Sequence, residues 1–413
     1  MSTKATRVIT NLCVLLTLFS VSVRAQSDQA ATTIKPSITP NANTELYKLV
    51  FLTDGLDDKS YSKLGEKKQA QLRRSDEAEF IKKLNEVGSQ GYRAILTEGL
   101  FAIVKLDNKQ YEYAGFETKE GGRLFKHDIK KLYPSYAQQS YVLRDNTLMS
   151  HQCETRSSSP GEMAEPEYCS YIYWSLLERV KGDTSPHTYI LASHTIKSGK
   201  QTMLNEEAAA DLTAQVKDSL TKGLQVTNSF SKFEILLQKI RQNDFLLNDS
   251  EIQVINDGVS KDTKESLKTK INSLAQQGYR LASLGYDIAV MYRPKGNTTP
   301  VSYLWVNMTQ NSAESELAQL RSKGAVYRMI HPDEDDNRAL MVFEQPTNSI
   351  ASQREYKLLK IEFESVEKKA QKKVVSDLTS ESKEVMKTVN QLAQEGFIVR
   401  DQLGRYILME RSQ

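Results

Sequence analysis

Apolar residues recur along this chain at helical spacing ahead of five glycines. Seven positions before Gly91, Gly223, Gly278, Gly324 and Gly396 stand Leu84, Val216, Ile271, Leu317 and Val389. Eleven positions before them stand Phe80, Leu212, Leu267, Ala313 and Val385. Four before stand Val87, Leu274, Leu320 and Leu392, with Ser219 the exception. Such spacing draws one apolar stripe down an amphipathic helix. Asn85, Asn272 and Asn390 recur six positions before the glycine in three of the copies. Each glycine is expected to end its helix in the left-handed conformation that lacks a Cβ clash.

Strands are expected on both sides of each helix. Upstream stand "YKLVFLT" at Tyr47, "YILASHTI" at Tyr189, "IQVIN" at Ile252, "YLWVNM" at Tyr303 and "YKLLKIEF" at Tyr356. A strand begins directly after each glycine. Another apolar run follows in "FAIVKL" from Phe101, "FEILLQ" from Phe233, "IAVMYR" from Ile288, "ALMVFE" from Ala339 and "YILMER" from Tyr406. The unit is β-α-β-β. A sixth, degenerate copy starts at Tyr111; it lacks the glycine but has Phe125, Ile129 and Leu132 at helical spacing.

The last strand of each unit is almost continuously apolar, where a half-wet strand would alternate. Continuous apolar strands are covered on both faces, one by the unit's own helix and the other by a neighbouring unit. The fold class is therefore α+β: five or six tandem β-α-β-β repeats, each a short sheet with one amphipathic helix, packed against one another through their sheets. Repeats are expected at 46–106, 111–180 (degenerate), 187–240, 250–294, 301–346 and 355–413.

The closest-knit text is "LNEVGSQGYRAI", "INSLAQQGYRLA" with "VMYR", and "VNQLAQEGFIVR" with "LMER". It resembles the bacterial domain-of-unknown-function family 4177, a small β-α-β-β module with an L-N-E-L-G-x-Q-G-W-E-L pattern and a final strand often ending Phe-Lys-Arg. Tyr92, Tyr279 and Phe397 stand where that pattern has tryptophan. The resemblance implies a fold and no catalytic residue.

The opening residues change the compartment. Lys4 and Arg7 precede an apolar run from Leu12 to Phe19, and Val23 and Ala25 precede Gln26. This is the layout of a signal peptide over 1–25, followed by a polar tether over 26–45. A membrane anchor is the alternative reading, but the run is short for a span and diluted by Thr and Ser. Without the segment, 55 basic residues fall by Lys4, Arg7 and Arg24 to 52, against 52 acidic ones. A balanced chain gives phosphate backbones and anionic membranes no overall attraction. The expectation is export to the periplasm or beyond, with no nucleic-acid partner and no membrane insertion.

Export also leaves two cysteines, Cys153 and Cys169, on either side of a turn-rich segment. In an oxidising compartment they are expected to form one disulfide; two free thiols are the alternative. Around them cluster Tyr168, Tyr171, Tyr173 and Trp174. Aromatics beside a stapled loop suit a binding surface, and an ordinary core strand is the competing explanation.

Candidate chemistry is otherwise sparse. His127, His151, His187, His194 and His331 lie scattered, without a four-ligand zinc pattern. "HPDEDD" at His331–Asp336 has the acids of a calcium loop but neither its glycine nor its distal glutamate. No phosphate loop, nucleophile elbow or metalloprotease helix is present. The sequence points to no cofactor, metal ligand or catalytic residue. Its expected role is non-enzymatic: binding or scaffolding in the cell envelope, with a protein or envelope component as partner. The alternative is an envelope hydrolase using carboxylates gathered between repeats, since such a pair needs no short motif.

Overall fold

The structure, a computed structural model, describes residues 45–51, 66–98, 101–107, 109–121, 129–154, 168–193, 204–231, 234–238, 250–256, 263–285, 288–307, 313–332, 339–347, 354–360, 380–403 and 406–412. The signal peptide, the tether up to residue 44, the cysteine loop at 155–167 and the acids of "HPDEDD" lie outside them.

Six β-α-β-β modules follow one another. The first comprises β1 Tyr47–Phe51, α1 Glu66–Ser89, β2 Tyr92–Glu98 and β3 Phe101–Leu106. The second has β4 Tyr111–Gly121, α2 Ile129–Ala137, β5 Val142–Glu154 and β6 Tyr168–Val180. The third has β7 Tyr189–Ser193, α3 Leu204–Thr221, β8 Gln225–Ser231 and β9 Glu234–Gln238. The fourth has β10 Ser250–Asn256, α4 Thr263–Gln276, β11 Arg280–Leu284 and β12 Ile288–Pro294. The fifth has β13 Val301–Asn307, α5 Ala313–Ser322, β14 Val326–Pro332 and β15 Ala339–Pro346. The sixth has β16 Arg354–Lys360, α6 Ser380–Gln394, β17 Ile398–Leu403 and β18 Tyr406–Ser412. Every sheet is three-stranded and antiparallel, with the module's last strand in the middle. The most apolar strand thus takes the most protected place.

All five marker glycines have positive φ, from 68° to 91°. In the degenerate module Ser140 does the same work at φ 70°, the non-glycine exception among the described residues. Leu224, Tyr279, Ala325, Phe397 and, after Ser140, Tyr141 each donate a backbone N–H to the carbonyl five residues back. This is the Schellman closure of a helix C-terminus. Ser140 is held in its strained conformation by hydrogen bonds from its hydroxyl to the Asp183 carboxylate and the Ser185 carbonyl. Counting back from Ser140 also corrects the expected stripe of α2. Ile129 and Tyr133 are each 1% exposed, whereas Leu132 points outward at 37%.

The glycines differ in what surrounds them, and this sets a testable contrast. A Cβ on Gly278 would lie 2.7 Å from the Asn297 carbonyl oxygen and 2.9 Å from Thr298 Cα, while one on Gly223 would meet nothing within 4 Å. Gly223→Ala should therefore cost about 1 kcal/mol, from backbone conformation alone. Gly278→Ala adds a backbone clash and should cost on the order of 3 kcal/mol. Denaturant titration of the two variants reads the difference; equal losses would mean that the contact at Asn297 is readily relieved.

The core is divided among the seams between modules. Ala102 and Val104 of β3 pack with Phe80 and Leu84 of α1, but also with Trp174 and Leu176 of β6 in the next module. Ile103, between them in sequence, faces the other way and packs with Val389, Ile407 and Met409 of the sixth module. The same alternation recurs in every middle strand: Leu236 against Ile235 and Leu237, Val290 against Met291, Val342 against Phe343, Leu408 against Met409. Each middle strand is covered on both faces because it serves two seams.

Each helix also leans on the first strand of the following module: α1 on β4, α3 on β10, α4 on β13 and α5 on β16. At the second seam Tyr133 of α2 meets Tyr189 of β7, with ring centroids 4.6 Å apart. The series does not stop at the sixth module, since α6 packs on β1. The chain closes into a ring of six. The second strands touch their counterparts around it, β17 against β2, β2 against β5, β8 against β11, and β11 and β17 against β14. They therefore lie nearer the axis than the first strands.

Candidate functional site

With the core spread over the seams, the polar side chains that recur from module to module also sit there. The asparagine six residues before the glycine faces the edge of the next module's first strand. Asn85 accepts from the Tyr113 N–H at 2.8 Å and donates to the Tyr113 carbonyl at 3.1 Å. Asn390 does the same for Tyr47, at 2.9 Å in both directions, across 343 residues of sequence. Asn272 accepts from the Tyr303 N–H at 3.1 Å. A carboxamide here substitutes for a neighbouring strand, because it offers one acceptor and one donor side by side.

The tyrosines so clamped, and Tyr356 at the same strand position, reach the previous module. Each second strand carries a β-bulge after its second or third residue, as between Ala94 and Leu96 or between Leu281 and Ser283. A bulge leaves ladder groups unpaired. The phenol oxygens of Tyr113, Tyr303, Tyr356 and Tyr47 accept the N–H groups of Ala94, Leu281, Tyr327 and Val399 at these places, at 2.7 to 3.4 Å. Burial, then the Glu178 carboxylate, push the Tyr113 phenol well above its ordinary value. Burial, then Glu410, push Tyr356 up to about 12. These phenols stay neutral and serve as hydrogen-bonding struts.

Beside the struts lie three buried glutamates, each between two arginines. Glu178 holds Arg93 of the preceding module at 2.9 Å and Arg144 at 3.6 Å. Glu344 holds Arg280 of the preceding module at 3.2 Å and its own module's Arg328 at 2.9 Å. Glu410 holds Arg354 and Arg400, both from its own module. In the third module the same strand position carries Gln238. It accepts from the Leu143 N–H at 3.2 Å and from the Tyr133 hydroxyl, a neutral version of the same joint.

Ring closure can be tested at the sixth seam. Asn390→Ala strips the Tyr47 N–H and carbonyl of their partner and should cost about 2–3 kcal/mol. Faster hydrogen exchange at the Tyr47 amide would accompany the loss. An unchanged rate there would mean that the first and sixth modules do not meet.

One carboxyl pair lies between modules. Glu77 of α1 is 8% exposed and faces Glu117 of β4. Glu117 is paired with Arg73 at 3.0 Å and Arg74 at 3.6 Å. Burial, and next the Glu117 carboxylate, raise Glu77 to about 8, against the pull of Arg73 and Arg74. The folded state then holds a proton that an unfolded chain releases near pH 4.5. The stability this contributes is complete below that pH and is lost as pH rises through about 8. Melting temperature should fall from pH 5 to pH 8, and Glu77→Gln should flatten that part of the profile. An identical slope in the variant would assign the pH dependence elsewhere.

Among the described residues, cavities open at two of the seams. About 260 Å³ lies between α5 and β16, bordered by Glu314 and Glu355 among others. Arg411 and Lys357 hold Glu355 below the usual carboxylate range, with the Arg411 hydrogen bond the largest influence, so it is a poor proton donor. About 190 Å³ lies between α2 and β7, lined by Ile129, Tyr133, Tyr189, Leu191 and Leu236. Among the described residues no three His, Cys, Asp or Glu side chains converge as metal ligands would. No described helix is long and apolar enough to cross a membrane.

The residues singled out in the sequence fall into different places. Trp174 is 1% exposed, stacked edge-on against Phe80 at 5.6 Å, and belongs to the first seam's core. That corrects its assignment to a binding surface: Trp174 and Leu176 face one neighbouring module and Leu177 the other, so the indole fills a seam. Tyr173 is half-buried. The side chains of Tyr168 and Tyr171 lie outside the described residues, and their backbones continue β6. The register sets Cys153 directly opposite Cys169. The glutamate joints carried a signal in sequence, as the polar residue closing each apolar run in "LLERV", "VFEQP" and "LMERS". Comparison with known protein families, curated proteins and solved structures finds no match to this chain.

Proposed function

We propose that this chain is an exported, non-enzymatic binding or scaffold protein of the cell envelope, built on modules resembling family 4177. The observation that carries this reading is where the polar side chains go. The recurring Asn, Tyr, Glu and Arg residues are engaged with protein groups at the seams, several of them across a seam. A ring closed by such joints gives a rigid platform, which suits the presentation of binding loops. In an exported chain Cys153 and Cys169 would join, since directly opposed strand residues lie at disulfide distance. Tyr168 and Tyr171, at the loop end of the same hairpin, are the remaining aromatic candidates for partner contact.

The test is affinity capture of the mature protein from envelope extract, with a Tyr168→Ala/Tyr171→Ala variant beside it. A partner retained by the parent and lost by the variant supports the reading. Capture of nothing above background, together with turnover of a carbohydrate or peptide substrate, would replace it with a hydrolase.

A further inference from the structure

Five of the six second strands carry an arginine near their start. Arg93 and Arg280 stand two residues after the marker glycine, and Arg144, Arg328 and Arg400 stand four after Ser140, Gly324 and Gly396. The glutamates they hold, Glu178, Glu344 and Glu410, each lie opposite the first-strand tyrosine of their module. The arginines therefore gather at one level of the ring, on the strands that lie nearest its axis. Charge at this level does not balance. Each glutamate is shared by two arginines, Arg354 being the sixth. Asp401, which accepts from the Tyr327 hydroxyl, adds a fourth carboxylate, while Lys105 and Asp107 offset one another. Six guanidiniums thus meet four carboxylates, and two positive charges are left uncompensated among the described side chains.

Donors remain as well as charge. Among the described residues, Arg93 and Arg400 hydrogen-bond the protein through Nε alone, which leaves both terminal nitrogens of each available. Solvent reaches these groups from inside the ring. The side chains of Arg93 and Arg328 are 36% and 33% exposed, against 24% for Arg293 in the fourth module's last strand. Burial, which opposes the charge, is nonetheless the largest influence on Arg93 and Arg328, ahead of the Glu178 and Glu344 carboxylates that favour it. For Arg293 the hydrogen bond to Glu251 comes first and burial second. The arginines set deeper in the protein are the more open to water, which an accessible axis explains and an outer surface does not. Packed sheets stand about 10 Å apart, and in a ring of six the distance to the axis matches the spacing of neighbours. An opening on that scale admits an anion between arginine side chains.

The geometry points to a binding site on the ring axis for a compact multivalent anion, a molecule carrying two or more linked phosphate groups. This adds a ligand to the binding-protein reading without resting on the β5–β6 hairpin. A guanidinium presents parallel N–H donors that match two oxygens of one phosphate. A concave site lined by one sign of charge focuses its field toward the centre. Arginines carried on different strands around that centre favour a ligand with several charges over one with a single charge. The surplus is local, so it is compatible with a chain whose overall charge attracts no phosphate backbone.

Calorimetric titration of the full chain with inorganic phosphate, pyrophosphate and tripolyphosphate, at constant ionic strength in chloride, tests the site. Affinity should rise about tenfold or more from the first anion to the last, and tripolyphosphate should bind Arg93→Gln/Arg400→Gln about tenfold or more weakly than the parent. That variant should keep its fold, because Glu178 retains Arg144 and Glu410 retains Arg354. Lys222→Gln/Lys387→Gln, which alters lysines that are 56% and 74% exposed, should bind as the parent does. Should the arginine variant fail to fold, labelling of the parent with phenylglyoxal decides: tripolyphosphate must protect Arg93 and Arg400 and leave Arg293 reactive. Absence of binding, equal affinity for the three anions, undiminished binding by the arginine variant, loss of binding in the lysine variant, or labelling that tripolyphosphate leaves unchanged would each overturn the site. None of these results bears on envelope capture through the hairpin, and failure of that capture would leave the anion site standing.

Discussion

Trp174→Ala should destabilise the protein by about 3–5 kcal/mol, the range for emptying a large aromatic site in a packed core. The indole is buried against Phe80 of the neighbouring module's helix and lies across Gly115 of the adjacent strand. A Cβ at Gly115 would be 2.8 Å from the ring. The strand has given up a side chain to admit the indole, so little stands ready to collapse into the space it leaves. Denaturation of the full chain measures the loss. Gly115→Ala offers a converse test, because overpacking the same contact should also destabilise, by about 1–3 kcal/mol. A loss below 1 kcal/mol in Trp174→Ala would return the residue to the surface and reopen its role in binding.

Much of what a single module determines by itself was visible in the sequence. The glycine that ends each helix, the stripe at Leu84, Val216 and Ile271, and the continuously apolar middle strands all follow from local periodicity. Double coverage of those strands implied packing through sheets, and alternate residues such as Ile103 and Val104 do serve opposite neighbours. What periodicity omits is which neighbour. Asn390 was visible as a repeated residue, but its partner Tyr47 is 343 positions away, so its function as a clamp and the closure it secures appear only in three dimensions.

The aromatic run of β6 shows a second limit. In a strand with one wet face, alternation separates core from surface. When both faces are covered, that separation vanishes, and Trp174 cannot be told from a binding residue by pattern. The same argument explains the second module's helix, where counting from a glycine was impossible. Ser140 supplies the left-handed conformation with help from Asp183 and Ser185, and only that anchor shows Tyr133 to be the stripe residue. At the seams the glutamate joints were visible only as a polar residue closing an apolar run, because the arginines that hold Glu178, Glu344 and Glu410 stand on other strands.

Glu344→Leu is expected to be almost as damaging as the loss of Trp174, for an electrostatic reason. The carboxylate lies between Arg280 and Arg328 and accepts from the Tyr303 hydroxyl at 3.1 Å. Its side chain is 5% exposed and that of Arg280 is 12%. Removing it leaves two guanidiniums facing each other, one 12% and the other 33% exposed, which should cost about 3 kcal/mol. The glutamate contributes mainly by neutralising its neighbours, since desolvation offsets much of what a buried ion pair gains. Replacing all three groups at once, with Arg280→Met and Arg328→Met added, should therefore recover most of the loss. Glu384→Gln, which breaks the exposed pair with Lys387 (67% and 74% exposed), should change stability by no more than about 0.5 kcal/mol. If Glu344→Leu behaved like Glu384→Gln, solvent would be screening the joint between the fourth and fifth modules. If the triple variant were no better than the single one, the carboxylate's bond to Tyr303 would matter more than its charge.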